Sequence, residues 1–317
     1  MITNKTGLVL SFSLVLGLQG CSPESAGPPS GPVWNVVDVQ INLEDGFSVL
    51  LYHDMEGLSG QDDPNSFRYS EPEYLESGRD FLVADVNAVA AGLFDGGVTE
   101  VFIVDGHGSG NRSPDLDYDK LDPRVQPISR EETFDAYTGL VEGSNYDAVG
   151  VIGMHAKTGS SGFASHTYTL GIGLELNGQS ITETEFVALS WGRIGVPVIF
   201  ASGDDKLEGD LQTMPWLKYA RVKNATSAST ADLLPLEQAR KLLSSQAKLA
   251  AESVLESKYL DLRLPVLGTV RVAPPADLAL LENVPGIEYE NSGVSFTAGS
   301  LMEFYDGARA LIGVARR

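Results

Sequence analysis

The sequence predicts an α/β fold with a mainly parallel central sheet flanked by helices. Two observations support this prediction. Four short runs of residues are almost continuously apolar and lead into turn-forming residues, which is typical of strands covered on both faces. Between these runs lie segments with apolar residues at helical spacing, and an alternation of strands with helices favours a parallel sheet.

The predicted elements follow one another along the chain in that order. The four predicted strands span residues 47–52, 100–105, 148–153 and 196–201. The four predicted helices span residues 81–94, 183–192, 235–257 and about 300–315. The first helix ends before Gly96 and Gly97, since glycine readily stops a helix. The third begins at a proline and carries one apolar stripe, formed by Leu236, Ala239, Leu243, Ala247, Ala250 and Val254.

Composition divides the chain into four segments. Residues 1–21 form a predicted lipoprotein signal peptide, and residues 22–45 begin with a Ser-, Pro- and Gly-rich stretch that predicts a flexible tether. We expect the folded part to begin between residues 37 and 47. Residues 46–205 form a predicted α/β domain, and residues 206–317 form a smaller C-terminal α/β portion of the same unit.

The signal segment contains the single cysteine of the chain, Cys21. Lys5 supplies a positive charge, and the apolar run over residues 8–18 that follows is too short to span a bilayer. The sequence LQGC that ends at Cys21 resembles the lipobox of bacterial lipoproteins, which implies a lipid anchor at this cysteine. With Ser22 next, that class implies an outer-membrane anchor on the periplasmic side of the cell envelope. The alternative is a plain signal peptide that happens to contain a cysteine.

The chain of 317 residues is strongly acidic. It has 22 Lys and Arg residues against 43 Asp and Glu residues, a formal net charge of −21 at pH 7. No basic stripe offsets this charge, and a field of this sign repels nucleic acids and anionic lipids. The composition therefore argues against a nucleic-acid partner and leaves the lipid at Cys21 as the expected membrane contact.

The segment after the first predicted strand carries two carboxylates, Asp54 and Glu56. In an extended chain residues i and i+2 point the same way, so we expect these two side chains to face one point while His53 and Met55 point away. Two facing carboxylates repel each other unless a cation lies between them. A divalent metal ion is the natural cation for such a pair, and the alternative is an exposed acidic strand end.

Three of the four histidines also follow predicted strands, in turns rich in Gly or Ser. His107 in DGHG and His155 in GMHA are candidate metal ligands, and Asp105 is a candidate partner for the other ring nitrogen of His107. His166 in ASHT suits an acid–base role near neutral pH, with a ligand role as the alternative. Because α/β sheets bind ligands at the carboxyl ends of their strands, these residues predict a two-metal hydrolytic site.

A two-metal site also needs a further carboxylate. Spacing alone leaves four candidates open, two in ITETE and two in the GDD after the last predicted strand, namely Glu183, Glu185, Asp204 and Asp205. Nothing in the spacing selects one of them.

Five motifs in order resemble the DppA-type D-aminopeptidase family of metallopeptidases. They are DMEGLSG (54–60), DGHG (105–108), GMHA (153–156), SHT (165–167) and VPVIFASGDD (196–205). Similar stretches continue at residues 234–243 and 294–311, so the resemblance covers roughly residues 47–317.

The resemblance implies a two-zinc site on an α/β fold. The zinc ligands that it implies are Asp54, Glu56, His107, His155 and Glu183. In this family the aspartate bridges both ions, and Glu183 rather than Glu185 matches the glutamate ligand. His166 matches the catalytic histidine. Family members assemble as decameric rings, so a homo-oligomer is implied as well.

Together these expectations describe a two-zinc aminopeptidase that removes N-terminal D-residues from short peptides, such as D-Ala-containing fragments. A metal-activated water would attack the peptide bond, and His166 would act as the acid or base. Two alternatives stay open at this level. One is metal-dependent hydrolysis of a phosphoester or another amide, and the other is a non-enzymatic lipoprotein that binds a metal or a peptide. The roles of His53, Asp204 and Asp205 stay open too.

Overall fold

The predicted strands form the centre of one sheet in the computed structural model, which describes residues 31–108, 114–129, 137–273, 287–290 and 293–315. The predicted signal peptide and Cys21 lie outside these residues. The strands are β1 (Trp34–Asp38), β2 (Ser48–His53), β3 (Glu100–Asp105), β4 (Val125–Pro127), β5 (Ala148–Ile152), β6 (Ile172–Leu176), β7 (Gln179–Ile181), β8 (Val198–Asp204), β9 (Lys218–Ser227), β10 (Thr230–Leu233), β11 (Lys258–Leu262), β12 (Val266–Val272), β13 (Glu288–Glu290) and β14 (Gly293–Ala298). The α-helices are α1 (Arg79–Asp95), α2 (Glu183–Gly192), α3 (Asp205–Asp210), α4 (Leu236–Glu252) and α5 (Leu301–Ala315). Short 3₁₀ or π turns span Pro64–Phe67, Tyr74–Gly78, Tyr118–Lys120, Leu211–Thr213 and Val254–Glu256.

The central sheet has seven strands in the order β10-β9-β8-β5-β2-β3-β4. Neighbouring strands run parallel except for β9 and β10. The inner strands β8, β5 and β2 are buried along almost their whole length, as expected for a sheet that is covered on both faces. The predicted α/β fold with a mainly parallel central sheet is therefore confirmed.

Different layers cover the two faces of this sheet. Along β2, Val49 and Leu51 enter the core formed with α1 and α4, whereas Leu50 and Tyr52 enter the core formed with α2, because strand side chains alternate between faces. Helices α1 and α4 pack against each other, and α2 packs on β8 and β11. The sheet is thus held between two apolar layers, which leaves its strand ends as the place for polar side chains.

A second sheet crosses the predicted domain boundary. It is antiparallel, in the order β13-β14-β12-β6-β7, and α5 packs on β12 and β14. The pairing of β12 with β6 joins segments from the two sides of residue 205, and β9 extends the central sheet beside β8. The boundary at residue 205 therefore passes through both sheets, because strands far apart in the sequence pair within them.

Part of the predicted tether is a strand. β1 pairs antiparallel with β11 over its whole length, and the side chains of Val33 and Trp34 are buried in the core that includes α2. The expectation that residues 22–45 are a flexible tether is therefore wrong for residues 34–38. Composition missed this strand because its stability comes from pairing with a segment more than 200 residues away.

The predicted helices occur close to their expected bounds. Helix α2 has the bounds that were predicted, and α1 and α5 differ from prediction by at most two residues at either end. The predicted helix over residues 235–257 ends at Glu252, and a single 3₁₀ turn, Val254–Glu256, follows. Within the described part of the chain, no helix combines the length and apolar character needed to cross a bilayer.

Candidate metal centre

Three neighbouring strands bring the candidate ligands together. In the central sheet β2 lies between β5 and β3, and the last residue of β2, His53, is in register with Ile152 on one side and Asp105 on the other. The segments that follow these strands carry Asp54 and Glu56, His155, and His107. The order of the strands therefore places the two carboxylates between the two histidines.

Asp54 and Glu56 are buried side by side, with exposed fractions of 4% and 5%. Met55 between them is fully buried in the core that includes α1, so the predicted alternation of side chains is observed. Burial and the charge of Glu56 raise the pKa of Asp54 well above its usual range. Burial alone would also raise the pKa of Glu56, but attraction to His107 outweighs it and holds that pKa well below its usual range. A cation between the two carboxylates would stabilise both as anions.

His107 pairs with Glu56 and is oriented by a residue that the sequence did not reveal. Its Nε2 lies 3.6 Å from Oε1 of Glu56, and its Nδ1 lies 2.8 Å from Oδ2 of Asp115. The Tyr74 hydroxyl donates to the other oxygen of Asp115 over 2.5 Å. Although burial opposes it, the hydrogen bond with His107 lowers the pKa of Asp115 to about 2. An ionised carboxylate only accepts hydrogen bonds, so Nδ1 carries the ring proton.

The expectation that Asp105 pairs with the His107 ring is wrong. The carboxylate of Asp105 accepts from the backbone N–H of His107 over 2.9 Å and of Gly108 over 3.4 Å. It therefore closes the turn, as short acidic side chains often do, and Asp115 takes the place next to the imidazole. Asp115 lies eight residues beyond His107, and nothing in its local sequence distinguishes it from the neighbouring acidic residues.

His155 points its Nε2 between two carboxylates. This atom lies 3.4 Å from Oδ2 of Asp54 and 3.5 Å from Oε1 of Glu183, and it has no hydrogen-bond partner among the described residues. Its Nδ1 lies 3.0 Å from the carbonyl oxygen of Ala156, which can only accept, so Nε2 has the free lone pair in the neutral ring. Burial opposes protonation, but the charges of Glu183 and Asp54 raise the pKa of His155 to about 10. A metal ion would take the place of that proton.

The separations of these atoms suit a shared metal ion. Two ligands that bind one tetrahedral ion at about 2.0–2.2 Å lie about 3.3–3.6 Å apart. The separations from His155 to Asp54, from His155 to Glu183 and from His107 to Glu56 are 3.4, 3.5 and 3.6 Å. They are longer than ordinary hydrogen bonds. The residues present therefore fit a divalent metal, with a histidine nitrogen and carboxylate oxygens as donors.

Glu183 belongs to the site and Glu185 does not. Glu183 is the first residue of α2, its Oε1 accepts from the backbone N–H of Tyr168 over 2.6 Å, and its Oε2 accepts from the hydroxyl of Tyr137. Glu185 instead forms a capping box with Thr182 at the start of α2 and accepts from the hydroxyl of Thr213. The same turn of helix thus uses one glutamate for the centre and the other to cap the helix.

The remaining acidic candidates are structural. Asp204 caps α3 by accepting from the backbone N–H groups of Lys206 and Leu207, and its second oxygen accepts from the backbone N–H of Phe163. Asp205 pairs with Lys206 and accepts from the backbone N–H of Ala225. These contacts hold neighbouring loops together and keep both carboxylates away from the ligand set. His53 is buried as well, and its charge helps to lower the pKa of Asp115.

His166 lies at the edge of the centre, beside the ligands. Its ring stacks on that of His155 with centroids 3.8 Å apart, and its Nε2 is 3.8 Å from Oε1 of Glu183. Its Nδ1 lies 2.8 Å from the carbonyl oxygen of Ala164, so Nε2 again has the lone pair in the neutral ring. Burial and the nearby charge of His155 lower the pKa of His166. A neutral imidazole with its base nitrogen facing the centre suits proton transfer.

Backbone strain helps to hold His166 in place. Ala164 and Tyr168 on either side of it have φ values of +51° and +71°, a left-handed conformation that costs non-glycine residues energy and persists only where the surroundings impose it. Here the amide of Tyr168 binds Glu183 and the amide of His166 binds the carbonyl of Ala156. The loop is therefore fixed to the ligands that it borders.

Two overlapping groups of donors define the centre. The donor atoms of Asp54, Glu56 and His155 lie within 4.8 Å of one another, and so do those of His155, His166 and Glu183. His155 belongs to both groups, and His107 reaches the first group through Glu56. All the residues predicted for the site are therefore brought together at one strand edge.

Buried residues that were not predicted from the sequence hold the backbone of the segment with Asp54 and Glu56 in place. The buried ammonium group of Lys223 donates to the carbonyl oxygens of Glu56 and Gln61 over 2.6 and 2.8 Å. Asp85 accepts from the backbone N–H and the hydroxyl of Ser59. A Cβ atom at Gly57 would lie 1.9 Å from the carbonyl oxygen of Met154. These contacts fix the loop after β2 against β9, α1 and the loop after β5.

A cavity of about 650 Å³ opens onto the centre. Its wall includes Glu56, His107 and His166 from the centre and the aromatic side chains of Phe67 and Tyr305. A volume of this order suits a small organic ligand. The cavity therefore gives a small substrate access to the metal ligands and to His166.

The chain is similar to known proteins over most of its length. The sequence model of peptidase family M55, described as D-aminopeptidase, matches residues 47–310. A D-aminopeptidase of Bacillus subtilis (strain 168) is 28% identical over 270 residues, which cover 83% of this chain and 96% of that protein. The solved structure of the Zn-dependent D-aminopeptidase DppA from Bacillus subtilis, a self-compartmentalizing protease, matches with a TM-score of 0.76 and 25% identity and covers 86% of this chain and 98% of that chain.

Replacing Asp115 with asparagine should weaken metal binding. The asparagine amide can donate to Nδ1 of His107, which would move the ring proton to Nε2 and remove the lone pair that faces Glu56. Loss of such an orienting partner typically lowers metal affinity by roughly 10- to 100-fold. Competition against a chromogenic chelator measures the change. Asp117→Asn is the matched control, because Asp117 caps the nearby turn Tyr118–Lys120; equal affinities in the two variants would contradict the orienting role of Asp115.

Proposed function

This chain belongs to peptidase family M55, the D-aminopeptidase family, and is therefore a metallopeptidase; from that premise we propose that it is a two-zinc aminopeptidase that removes N-terminal D-residues from short peptides. The observation that carries the proposal is the unpartnered Nε2 of buried His155, which points between the carboxylates of Asp54 and Glu183. A Zn-dependent relative with the same fold supports zinc as the metal.

The donor atoms divide between two proposed zinc ions. Glu56 and His107 would hold one ion, His155 and Glu183 the other, and Asp54 lies between the two pairs and would be shared. Nitrogen and carboxylate oxygen donors are those that catalytic zinc prefers. When bound, zinc acts as a Lewis acid toward a carbonyl group and lowers the pKa of a bound water to about 7.

The side chains around this pair have distinct roles in the proposed reaction. His166 presents the lone pair on Nε2 to the centre, since Nδ1 donates to the carbonyl of Ala164. It can therefore accept a proton from the attacking water and deliver it to the leaving amine. Tyr137 and the amide of Tyr168 keep the Glu183 carboxylate in one orientation. Asp115 keeps the His107 ring in the tautomer whose Nε2 faces Glu56.

Family membership decides between the alternatives that the sequence left open. A non-enzymatic lipoprotein is not supported, because the model of an enzyme family matches residues 47–310. A phosphoesterase is not supported either, because the family and the matching relative are peptidases. The proposed substrates are short peptides with an N-terminal D-residue, including D-Ala-containing fragments, which the cavity of about 650 Å³ can accommodate.

Activity on paired substrates tests the proposal. The zinc-loaded chain should release the N-terminal residue from D-alanyl dipeptides, should act more slowly on the L-alanyl counterparts, and should lose activity when a chelator removes the metal. Amino-acid release can be followed by chromatography, with zinc content measured by elemental analysis. Failure to release a D-residue at full zinc occupancy would refute the D-aminopeptidase proposal, and activity that survives complete zinc removal would refute the metal centre.

Replacing His166 with alanine should abolish most turnover and leave the metal in place. General acid–base catalysis typically contributes 10²–10⁴-fold, so we expect kcat to fall by about that factor while the zinc content stays the same. Ser165→Ala is the control for disturbance of the loop, because Ser165 precedes His166 and its hydroxyl donates to the carbonyl oxygen of Gly162. A loss of zinc in His166→Ala would show instead that His166 is a ligand.

We also propose that the protein is a lipid-anchored homo-oligomer in the cell envelope, on the periplasmic side of the outer membrane. The lipobox-like LQGC that ends at Cys21 supports the anchor, and the self-compartmentalizing relative supports an oligomer, including a decameric ring. A Cys21→Ser variant should move from the membrane fraction to the soluble fraction. Sedimentation of that soluble variant measures the assembly. A wild-type chain that is soluble without detergent, or a monomeric soluble variant, would contradict the corresponding part of the proposal.

A further inference from the structure

Two arginines line the cavity beside the metal centre in a strongly acidic protein. The chain has 43 acidic residues, yet among the described residues that line the cavity the only acidic one is Glu56, which is itself a candidate ligand. Two arginines, Arg68 and Arg309, line the same cavity. Arginine matches the planar geometry of a carboxylate with two parallel hydrogen bonds. An anionic group of a substrate would therefore meet arginine donors in this cavity.

The position of His166 indicates on which side of the cavity an anionic group of the leaving residue would lie. In the proposed reaction His166 delivers a proton to the leaving amine, so the leaving part of the peptide extends along the His166 side. Tyr168, two residues further on, lies on that side, and its ring contacts the ring of Tyr305 with centroids 6.1 Å apart. The guanidinium carbon of Arg309 lies 5.7 Å from the centre of the Tyr305 ring. Arg309 is thus placed along the path of the leaving residue.

The other arginine of the cavity, Arg68, is next in sequence to a residue that contacts His107. It follows Phe67, whose ring contacts the ring of His107 edge-on at 6.4 Å. In the proposed reaction the leaving part extends past His166, so the His107 side is left for the N-terminal residue. That residue carries a free amine and no terminal carboxylate, so it offers Arg68 no anionic group to bind. The two arginines are therefore not equivalent, and Arg309 is the one that suits a carboxylate on the leaving residue.

We propose that Arg309 binds the C-terminal carboxylate of the substrate and so selects short peptides with a free C-terminus. This inference rests on the proposed aminopeptidase function. Ring contacts connect Arg309 to the centre: its guanidinium carbon lies 5.7 Å from the centre of the Tyr305 ring, the Tyr305 ring is 6.1 Å from the ring of Tyr137, and the Tyr137 hydroxyl binds Glu183. Arg309 and His166 also line the same cavity.

A comparison of a free acid with its amide tests this role. The full-length, zinc-loaded chain and its Arg309→Gln, Arg309→Lys and Arg68→Gln variants are assayed on D-alanyl-D-alanine and on D-alanyl-D-alaninamide. In Arg309→Gln we expect kcat/KM on the free acid to fall roughly 10- to 100-fold, the usual effect of losing a charge-assisted hydrogen bond, with less than about threefold change on the amide. Arg309→Lys, which keeps the charge without the paired donors, should fall between wild type and Arg309→Gln.

The Arg68→Gln control and the wild-type chain distinguish failure of the Arg309 role from failure of the proposed aminopeptidase function. Arg68→Gln should change the two substrates by the same factor. The inference is refuted if Arg309→Gln changes both substrates equally, or if Arg68→Gln instead shows the loss that is confined to the free acid. If the wild-type chain cleaves neither compound although its zinc sites are full, the proposed function fails, and with it this inference. Zinc content that matches wild type shows that each variant is folded at the centre.

Discussion

The centre depends on one electrostatic constraint, the burial of Asp54 and Glu56 side by side at the end of β2. Two ionised carboxylates removed from water repel each other and lose hydration, which costs several kcal/mol unless positive charge compensates. Every other part of the centre supplies that compensation or positions a group that does. His107 faces Glu56, His155 faces Asp54, and the lone pairs of both histidines turn inward. The arrangement is therefore stable as a set of anions and neutral rings only around a cation, which couples metal binding to the stability of the fold.

Hydrogen bonds to the loop after β2 explain how the two buried carboxylates keep their positions. The loop after β2 is bound through its backbone, by the ammonium group of Lys223 to two carbonyl oxygens and by Asp85 to Ser59. Burial lowers the pKa of Lys223 to about 7, and the amine donates hydrogen bonds in either protonation state. Because Lys223 and Asp85 fix the backbone of this loop, the carboxylates of Asp54 and Glu56 stay directed at the centre. The rigidity that zinc enzymes need around their ligands comes here from residues of β9 and α1.

The sequence was informative where the chemistry is local and uninformative where it depends on distant contacts. Apolar runs and helical spacing predicted the central sheet and the helices, because both signals lie within a few residues. The alternation along DMEG placed Asp54 and Glu56 on one side, as observed. Spacing alone could not choose Glu183 over Glu185, since both stand in the first turn of α2, and only the family resemblance did so. Asp115 and Lys223 were missed because their roles arise from pairings of strands and loops far apart in the chain.

The net negative charge of the protein and the arginines of its cavity affect a peptide over different distances, the first at long range and the second on contact. A dipeptide at neutral pH carries one positive and one negative end and is neutral overall, so the net charge of −21 neither attracts nor repels it strongly. At physiological salt, charges further apart than about 8 Å are largely screened, which leaves the groups lining the cavity to orient the molecule. Under the proposed function the metal centre lies beside the amine end of the peptide and Arg309 beside the carboxylate. A peptide bound in that direction has its scissile bond at the centre and its leaving amine beside His166, so orientation and proton transfer follow from the same arrangement of charges.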